Sequence, residues 1–276
     1  MPWTMTADPD EFAAAAGGFL RSRLVEHNLL LTVTDQLRRG RWLVPGGAPL
    51  LGWWASEAGP AGAFSLTPGF PLAVTPMPDQ ALDELADALP PPLPGIGAGT
   101  AAAGRFARRW QDRTGAVAVV HRRDHLFRLG ELAPPDPPPP GRARLATGAD
   151  RDLLIAWHDA FLREIGADEP DTPGAVADRL RYGGLLLWDT GDRPVAMAGR
   201  TRVVAGICRV AAVYTPPQYR RHGYGAAVTA TATRHGAEAG AREVLLYTDA
   251  DNAVTNTLYQ RLGYQPVLER TVYVFS

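Results

Sequence analysis

The sequence predicts an α/β (α+β) protein with helices flanking a mixed sheet, and three observations carry that prediction. Beyond a proline-rich stretch at residues 133–141, the segments read β-α-α-β-β-β-α-β-α-β. Within that order the run Gly206 to Tyr214 is apolar almost without interruption, which suits a central strand covered on both faces. An alanine-rich helix follows, about Gly225 to Ala239, with side chains small enough to lie close to a sheet. Strands interleaved with helices in this way build a sheet with helices packed against it.

The chain has 276 residues, enough for one large domain or two ordinary ones, and 46% of them are hydrophobic. A net charge of -1 and a pI near 6.6 argue against a nucleic-acid partner. Cys208 is the single cysteine, so no intrachain disulfide forms, and its apolar surroundings make it a small buried hydrophobe. The histidines (27, 121, 125, 158, 222 and 235) show no paired ligand motif, so no metal site is expected. The N-terminus lacks a basic start followed by an apolar core, and no apolar run is long enough for a bilayer. No membrane partner is expected, and the cytoplasm is the expected compartment.

The prolines of residues 133–141 fix φ and remove amide donors, so this stretch reads as a stiff spacer between a domain at 1–132 and one at 142–276. The first domain reads as a smaller α/β unit. Glu11 to Arg39 is helical, with Leu20, Leu24 and Leu31 at helical spacing and His27 on the same stripe as a packed core residue. Strands follow at Leu50–Ala55 and Pro71–Thr75, then a helix from Asp79 that stops before Pro90, another through Phe106–Gln111, and one or two strands over Ala116–Leu129. Gly95-Ile96-Gly97-Ala98-Gly99 lacks the third glycine of a dinucleotide fingerprint and the Lys-Ser/Thr of a P-loop, and reads as a flexible turn.

In the second domain Arg142–Thr147 reads as a strand, and Thr147-Gly148-Ala149-Asp150 is a capping box. The helix it opens carries Leu154, Trp157, Phe161 and Ile165 on one face. A helix at Gly174–Arg181 and strands at Leu185–Asp189 and Pro194–Gly199 precede the long apolar strand. After the alanine-rich helix come a strand at Glu243–Thr248 and a helix at Asn252–Leu262 with Val254, Leu258 and Leu262 as its buried stripe. Final strands lie near Val267 and at Thr271–Phe275.

The informative stretch is Val213-Tyr214-Thr215-Pro216-Pro217-Gln218-Tyr219-Arg220-Arg221-His222-Gly223-Tyr224-Gly225-Ala226. A buried strand runs into a loop and the loop into a helix. Gly223 and Gly225 let backbone amides turn inward as an anion nest, and the helix N-terminus adds free N–H groups and partial positive charge. That combination holds phosphate. Val228 stands where a dinucleotide fingerprint needs Gly or Ala, which counts against NAD.

Arg220-x-x-Gly223-x-Gly225 after a long apolar strand resembles the pyrophosphate loop of the GNAT superfamily of N-acetyltransferases. Downstream, Asp249-Ala250-Asp251-Asn252 followed by the Asn256 to Tyr264 segment resembles the next motif of that family, in which an Asn-containing turn opens a helix that ends Tyr-x-x-x-Gly-Phe/Tyr. The resemblance covers about Arg142 to Ser276, and the whole chain looks like two-domain members with a degenerate GNAT-like first half. It implies a splayed central sheet, acetyl-CoA as co-substrate and a primary amine as acceptor, with direct attack of the amine on the thioester. Carried over residue by residue, the backbone of Val213, Tyr214 and Thr215 lines the pantetheine arm. Arg221, His222, Gly223, Tyr224, Gly225 and Ala226 hold the diphosphate through amides, and Arg220 either orders the loop or flanks the phosphates. Asn252 and Asn256 lie at the cofactor, and Tyr259 matches the tyrosine that acts on the departing sulfur as general acid. Thr201 to Thr215 contains no Asp or Glu, so the base is sought among Glu164, Asp249 and Asp251, with Glu164 on the acceptor side. The same absence makes a CoA-binding module without turnover the competing expectation.

Overall fold

The structure, a computed structural model, describes residues 3–40, 47–167 and 171–276. They divide into two compact units, Met1–His125 with Leu268–Ser276, and Leu126–Val267.

The first unit runs β1 (Trp3–Thr6), α1 (Pro9–Ser22), α2 (Asn28–Arg38), β2 (Leu50–Ser56), β3 (Gly59–Leu66), β4 (Leu72–Val74), α3 (Asp79–Ala88), β5 (Gly95–Gly99), α4 (Thr100–Thr114) and the start of β6 (Ala118–Leu129). Its strands pair in the order β1-β2-β3-β4-β5, and the end of the last strand of the chain, β12 (Tyr264–Phe275), lies beside β5. β4 and β5 are parallel, while β1 to β4 pair antiparallel. Asp8 caps α1, its carboxylate accepting from the amides of Asp10 and Glu11.

The region Glu11–Arg39 is helical as expected and is built as two helices, α1 and α2. The buried His27 sits at the break and donates through Nδ1 to the carbonyls of Phe19 and Leu20, 3.2 and 3.3 Å away, which occupies the end of α1. Burial lowers the His27 pKa, so it serves there as a neutral ring. The Gly95–Gly99 run is a strand, not a flexible turn. A Cβ on Gly95 would lie 2.1 Å from the Tyr273 carbonyl oxygen, and one on Gly97 would lie 2.0 Å from the Arg270 guanidinium. Glycine is needed at position 95 because the β12 backbone crowds it, whereas at Gly97 the neighbour is the movable end of the Arg270 side chain; Ile96 and Ala98 meanwhile face the core with Leu82, Leu85, Phe106 and Trp110.

The second unit runs β7 (Arg142–Leu145), α5 (Arg151–Ile165), α6 (Thr172–Arg181), β8 (Leu185–Asp189), β9 (Pro194–Arg200), β10 (Ile207–Tyr214), α7 (Tyr224–Glu238), β11 (Glu243–Asp249), α8 (Ala253–Arg261) and the start of β12. Strands β7 to β10 pair antiparallel in sequence order, and β11 joins β10 in parallel. The capping box forms: the Thr147 amide donates to Asp150 at 2.8 Å. On one side of the sheet α7 packs Ala227, Val228, Ala230 and Ala232 against Val210, Val244 and Leu246. The small residues do bring α7 close, since a Cβ on Gly236 would lie 3.1 Å from the sulfur of the buried Cys208. On the other side α5 and α6 cover Leu185, Leu187, Met197, Ala212 and Tyr214 with Leu154 and Val176.

β10 is covered on both faces, as its apolar run predicts: Val210 packs with α7, and Ala212 and Tyr214 pack with α5 and α6. Burial departs from the sequence reading at two places. Ile165 ends α5 and is exposed, while His158 is the buried partner of Leu154 on that helix. Val254 is 79% exposed, and the buried side of α8 is made by Tyr259 and Leu262. At 100° per residue Val254 lies about 140° around the helix from Tyr259, so the two cannot share a face.

Candidate functional site

β10 carries a bulge at its end. Val210 opposes Arg200 and Ala211 opposes Gly199, but the next partner of Met197 is Tyr214, so Ala212 and Val213 together stand against Ala198. Ala212 adopts φ 51, and Gly199 gives the strand room, because a Cβ there would lie 2.9 Å from the Ala211 carbonyl oxygen. β10 also parts from β11. Their pairing covers Ile207 with Glu243, Cys208 with Val244 and Arg209 with Leu245, whereas the strands themselves run on to Tyr214 and Asp249.

The loop then makes a tight turn in which the Tyr219 amide donates to Pro216 and the Arg220 amide to Pro217. Arg221 has φ 64, and Gly223, the residue before α7, has φ 81. Among the described residues, nothing accepts from the backbone N–H groups of Arg221, His222, Gly223, Tyr224, Gly225 or Ala226; the Ala227 amide is the first to return to the helix, donating to Gly223. A helix N-terminus leaves its first amides free, and a residue in the left-handed region turns neighbouring amides toward one point. No acidic residue lies between Arg193 and Glu238, so no side chain of this stretch neutralises that positive end.

Side chains around the loop brace it. Arg220 Nε donates to the Thr215 carbonyl at 2.9 Å and its Nη2 to Glu164 at 2.5 Å. His222 donates through Nδ1 to the Arg220 carbonyl at 2.7 Å and stacks on Tyr224 with ring centroids 5.6 Å apart. Thr215 Oγ1 lies 3.2 Å from where a Cβ on Gly225 would sit. Trp157 of α5 meets Tyr214 at the strand end, with centroids 6.1 Å apart.

On the α8 side Asn252 is the N-cap, its Oδ1 accepting from the Thr255 amide at 3.1 Å. The Asn256 amide accepts from Thr248 and donates to the carbonyls of Asp249 and Ala250, so its polar atoms stitch β11 to α8. Tyr259 is buried, and its hydroxyl has no hydrogen-bond partner among the described residues. Burial pushes its pKa up to about 12, so it keeps its proton at neutral pH. Its ring stands edge-on to Tyr264, whose hydroxyl is bound to Thr233 at 2.6 Å. Sequence reasoning missed the bulge, because an alanine in the left-handed region leaves no mark in the pattern; Gly199 at the end of a strand was the available signal. Among the described residues no three His, Cys, Asp or Glu side chains gather to hold a metal, and no helix is long and apolar enough to cross a membrane.

Residues 151–264 match the acetyltransferase (GNAT) family. This segment is a GNAT domain. The chain is 43% identical over 131 residues to a mycothiol acetyltransferase of Kocuria rhizophila, a match that spans 46% of this chain and only 37% of that protein. Two solved structures share the fold over nearly the whole chain. A GNAT-family acetyltransferase from Colwellia psychrerythraea is 10% identical with a TM-score of 0.62, covering 100% of this chain and 99% of its own. A tandem GNAT protein from the clavulanic acid biosynthesis pathway is 13% identical with a TM-score of 0.55, covering 99% and 98%. The GNAT domain therefore includes the bulged strand, the loop of unclaimed amides and the helix that carries Tyr259.

Proposed function

We propose that the GNAT domain binds acetyl-CoA and transfers its acetyl group to a primary amine. The observation that carries this reading is the run of unclaimed amides from Arg221 to Ala226 at the start of α7, beside the point where β10 leaves β11. A diphosphate supplies the acceptors those donors lack. The gap beyond Arg209 and Leu245 suits an extended amide-bearing arm that pairs with the backbone of Val213, Tyr214 and Thr215. The name of the Kocuria relative, an acetyltransferase, supports the same chemistry.

In this mechanism the amine nitrogen attacks the thioester carbonyl carbon, the carbon–sulfur bond breaks, and the electron pair leaves on sulfur. Holding both reactants in place supplies most of the gain. The bulge takes Ala212 and Val213 out of one-to-one pairing, which leaves a backbone amide for the developing oxyanion. Tyr259 donates a hydrogen bond to the departing sulfur. Burial raises the Tyr259 pKa, so the hydroxyl is protonated and available to hydrogen-bond or protonate that sulfur. Thr201 to Thr215 has no carboxylate, so the amine enters neutral or loses its proton to a group off this strand.

Thiol release from acetyl-CoA over a panel of amines tests the reading, together with calorimetric binding of CoA, NAD and ATP. CoA is expected to bind most tightly, and thiol release is expected to depend on the amine. Tighter NAD binding refutes the assignment, and CoA binding with no amine-dependent release favours the module without turnover. Tyr259→Phe is expected to lower kcat by about 10- to 100-fold with KM for acetyl-CoA held within about twofold. Unchanged kcat removes Tyr259 from the reaction.

A further inference from the structure

α5 reaches the strand–loop–helix junction at two points, Trp157 against Tyr214 and Glu164 against Arg220. These two residues are seven apart, two turns along one face of the helix. Arg220 spans the loop between them: Nε holds the carbonyl of Thr215, where the loop begins, and Nη2 holds Glu164. The loop has few other external anchors. Its remaining hydrogen bonds, from Tyr219, Arg220 and His222, stay within the loop. Arg221, next in sequence, is held at φ 64, a conformation that a non-glycine residue keeps only when its neighbours fix it.

We propose that Glu164 and Arg220 form a latch that fastens α5 to the diphosphate loop and pre-shapes its amides for the ligand. This assignment rests on the CoA reading above and changes the part given to Glu164: it is a positioning residue acting through Arg220, with its Oε1 engaged by the guanidinium. Both side chains are close to half exposed, so the pair alone is worth little; its effect comes through the geometry it imposes on the loop. A loosened loop must be ordered at the moment of binding, which weakens affinity without altering the chemistry that follows.

The test separates the latch from a base and from the CoA reading itself. Glu164→Gln is expected to raise KM for acetyl-CoA about threefold to tenfold and to leave kcat within about twofold. The same substitution in an Arg220→Gln background is expected to add almost nothing, because the partner is already gone. A kcat loss of tenfold or more in Glu164→Gln, or additive effects in the double variant, overturns the latch. Trypsin gives a readout that needs no ligand. Glu164→Gln leaves the bonds after Arg220 and Arg221 in place, and cleavage there is expected to run at least about fivefold faster than in the wild type. An unchanged cleavage rate overturns the latch whatever CoA does. A wild-type chain that binds no CoA overturns the functional reading instead, and the cleavage rates still judge the latch.

Discussion

The two units share one element order, β-α-α-β-β-β-α-β-α-β, yet their corresponding strand-to-helix junctions are built differently. Both strands end on Thr-Pro: Val74-Thr75-Pro76 after β4, and Tyr214-Thr215-Pro216 after β10. In the first unit the connection is only Thr75 to Pro78. Thr75 is tied back to Ala63, its amide donating at 2.9 Å and its hydroxyl accepting at 3.0 Å. Pro78 has no N–H to offer, and Asp79 places a carboxylate in the first turn of α3, where Arg105 takes it at 2.8 Å. In the second unit the connection is longer, carries arginines and no acid, and turns through Arg221 and Gly223 in the left-handed region. The helix opposite differs too: α8 bears Tyr259, and α4 has no tyrosine. The fold survives without the site, since packing needs the sheet and its helices, while an anion site needs a loop whose amides nothing else has taken.

The sharpest way to break this contrast is to give the second junction the charge of the first. Gly225→Glu places a carboxylate among the amides, and among the described residues the new Cβ meets only the Thr215 hydroxyl, at 3.2 Å, from outside its own helix, so the lesion is chiefly electrostatic. CoA affinity is expected to fall at least about 100-fold by calorimetry, with the fold retained by circular dichroism. Asp79→Gln, which removes the acid from the first junction, is expected to leave CoA affinity within about twofold. Retained affinity in Gly225→Glu would mean that the loop does not hold the diphosphate.

Much of this contrast was legible in the sequence because it is local. Glycine spacing, a run free of acids and an N-cap asparagine each state a backbone requirement within a few residues. The glycines of β5 misled for the converse reason: what demands Gly95 is β12, far along the chain, whose backbone at Tyr273 presses onto it. β1 and β3 were likewise unread, since β3 is Gly-Pro-Ala-Gly-Ala-Phe-Ser-Leu and owes its extended form to pairing with β2 rather than to its own propensity. The engagement of Asn256 and of Glu164 by their neighbours is also a matter of three-dimensional partners, invisible to spacing.

A second contrast lies where the first strand of each unit meets its first helix. Asp8 caps α1 in the open, whereas Asp150 is gripped by both terminal nitrogens of Arg144 at 2.8 Å, and Arg144 Nε holds Asp189 at 2.9 Å. The Arg144 hydrogen bonds lower the Asp150 pKa to about 2 and that of Asp189 in the same direction. A carboxylate in the unfolded chain titrates near 3.9, so the stabilisation is complete above about pH 4 and is lost as pH falls toward 2. Arg144 is about one-third exposed, which discounts the contribution to roughly 1–2 kcal/mol. Arg144→Gln is therefore expected to unfold more easily than the wild type at pH 6 and to converge with it near pH 2. A gap that stays constant with pH would assign the loss to packing instead.

The smallest expected effect probes backbone strain, which also divides the units: the positive-φ residues other than glycine, among those described, are Ala205, Ala212 and Arg221, all in the second. At Ala212, φ 51 costs about 1–2 kcal/mol for a residue with a Cβ, and Ala212→Gly removes that cost. The same change forfeits a buried methyl, about 0.8 kcal/mol, and adds unfolded-state freedom worth about 0.5–1 kcal/mol. The terms nearly cancel, so denaturant unfolding is expected to place Ala212→Gly within about 1 kcal/mol of the wild type. Ala212→Val cannot cancel in this way, because a β-branched side chain at positive φ meets its own backbone as well as the Leu187 and Tyr214 core, and a loss above about 2 kcal/mol is expected. If valine were tolerated as well as glycine, the bulge would not be held in the left-handed form, and the backbone amide assigned to the oxyanion would lose its geometric basis.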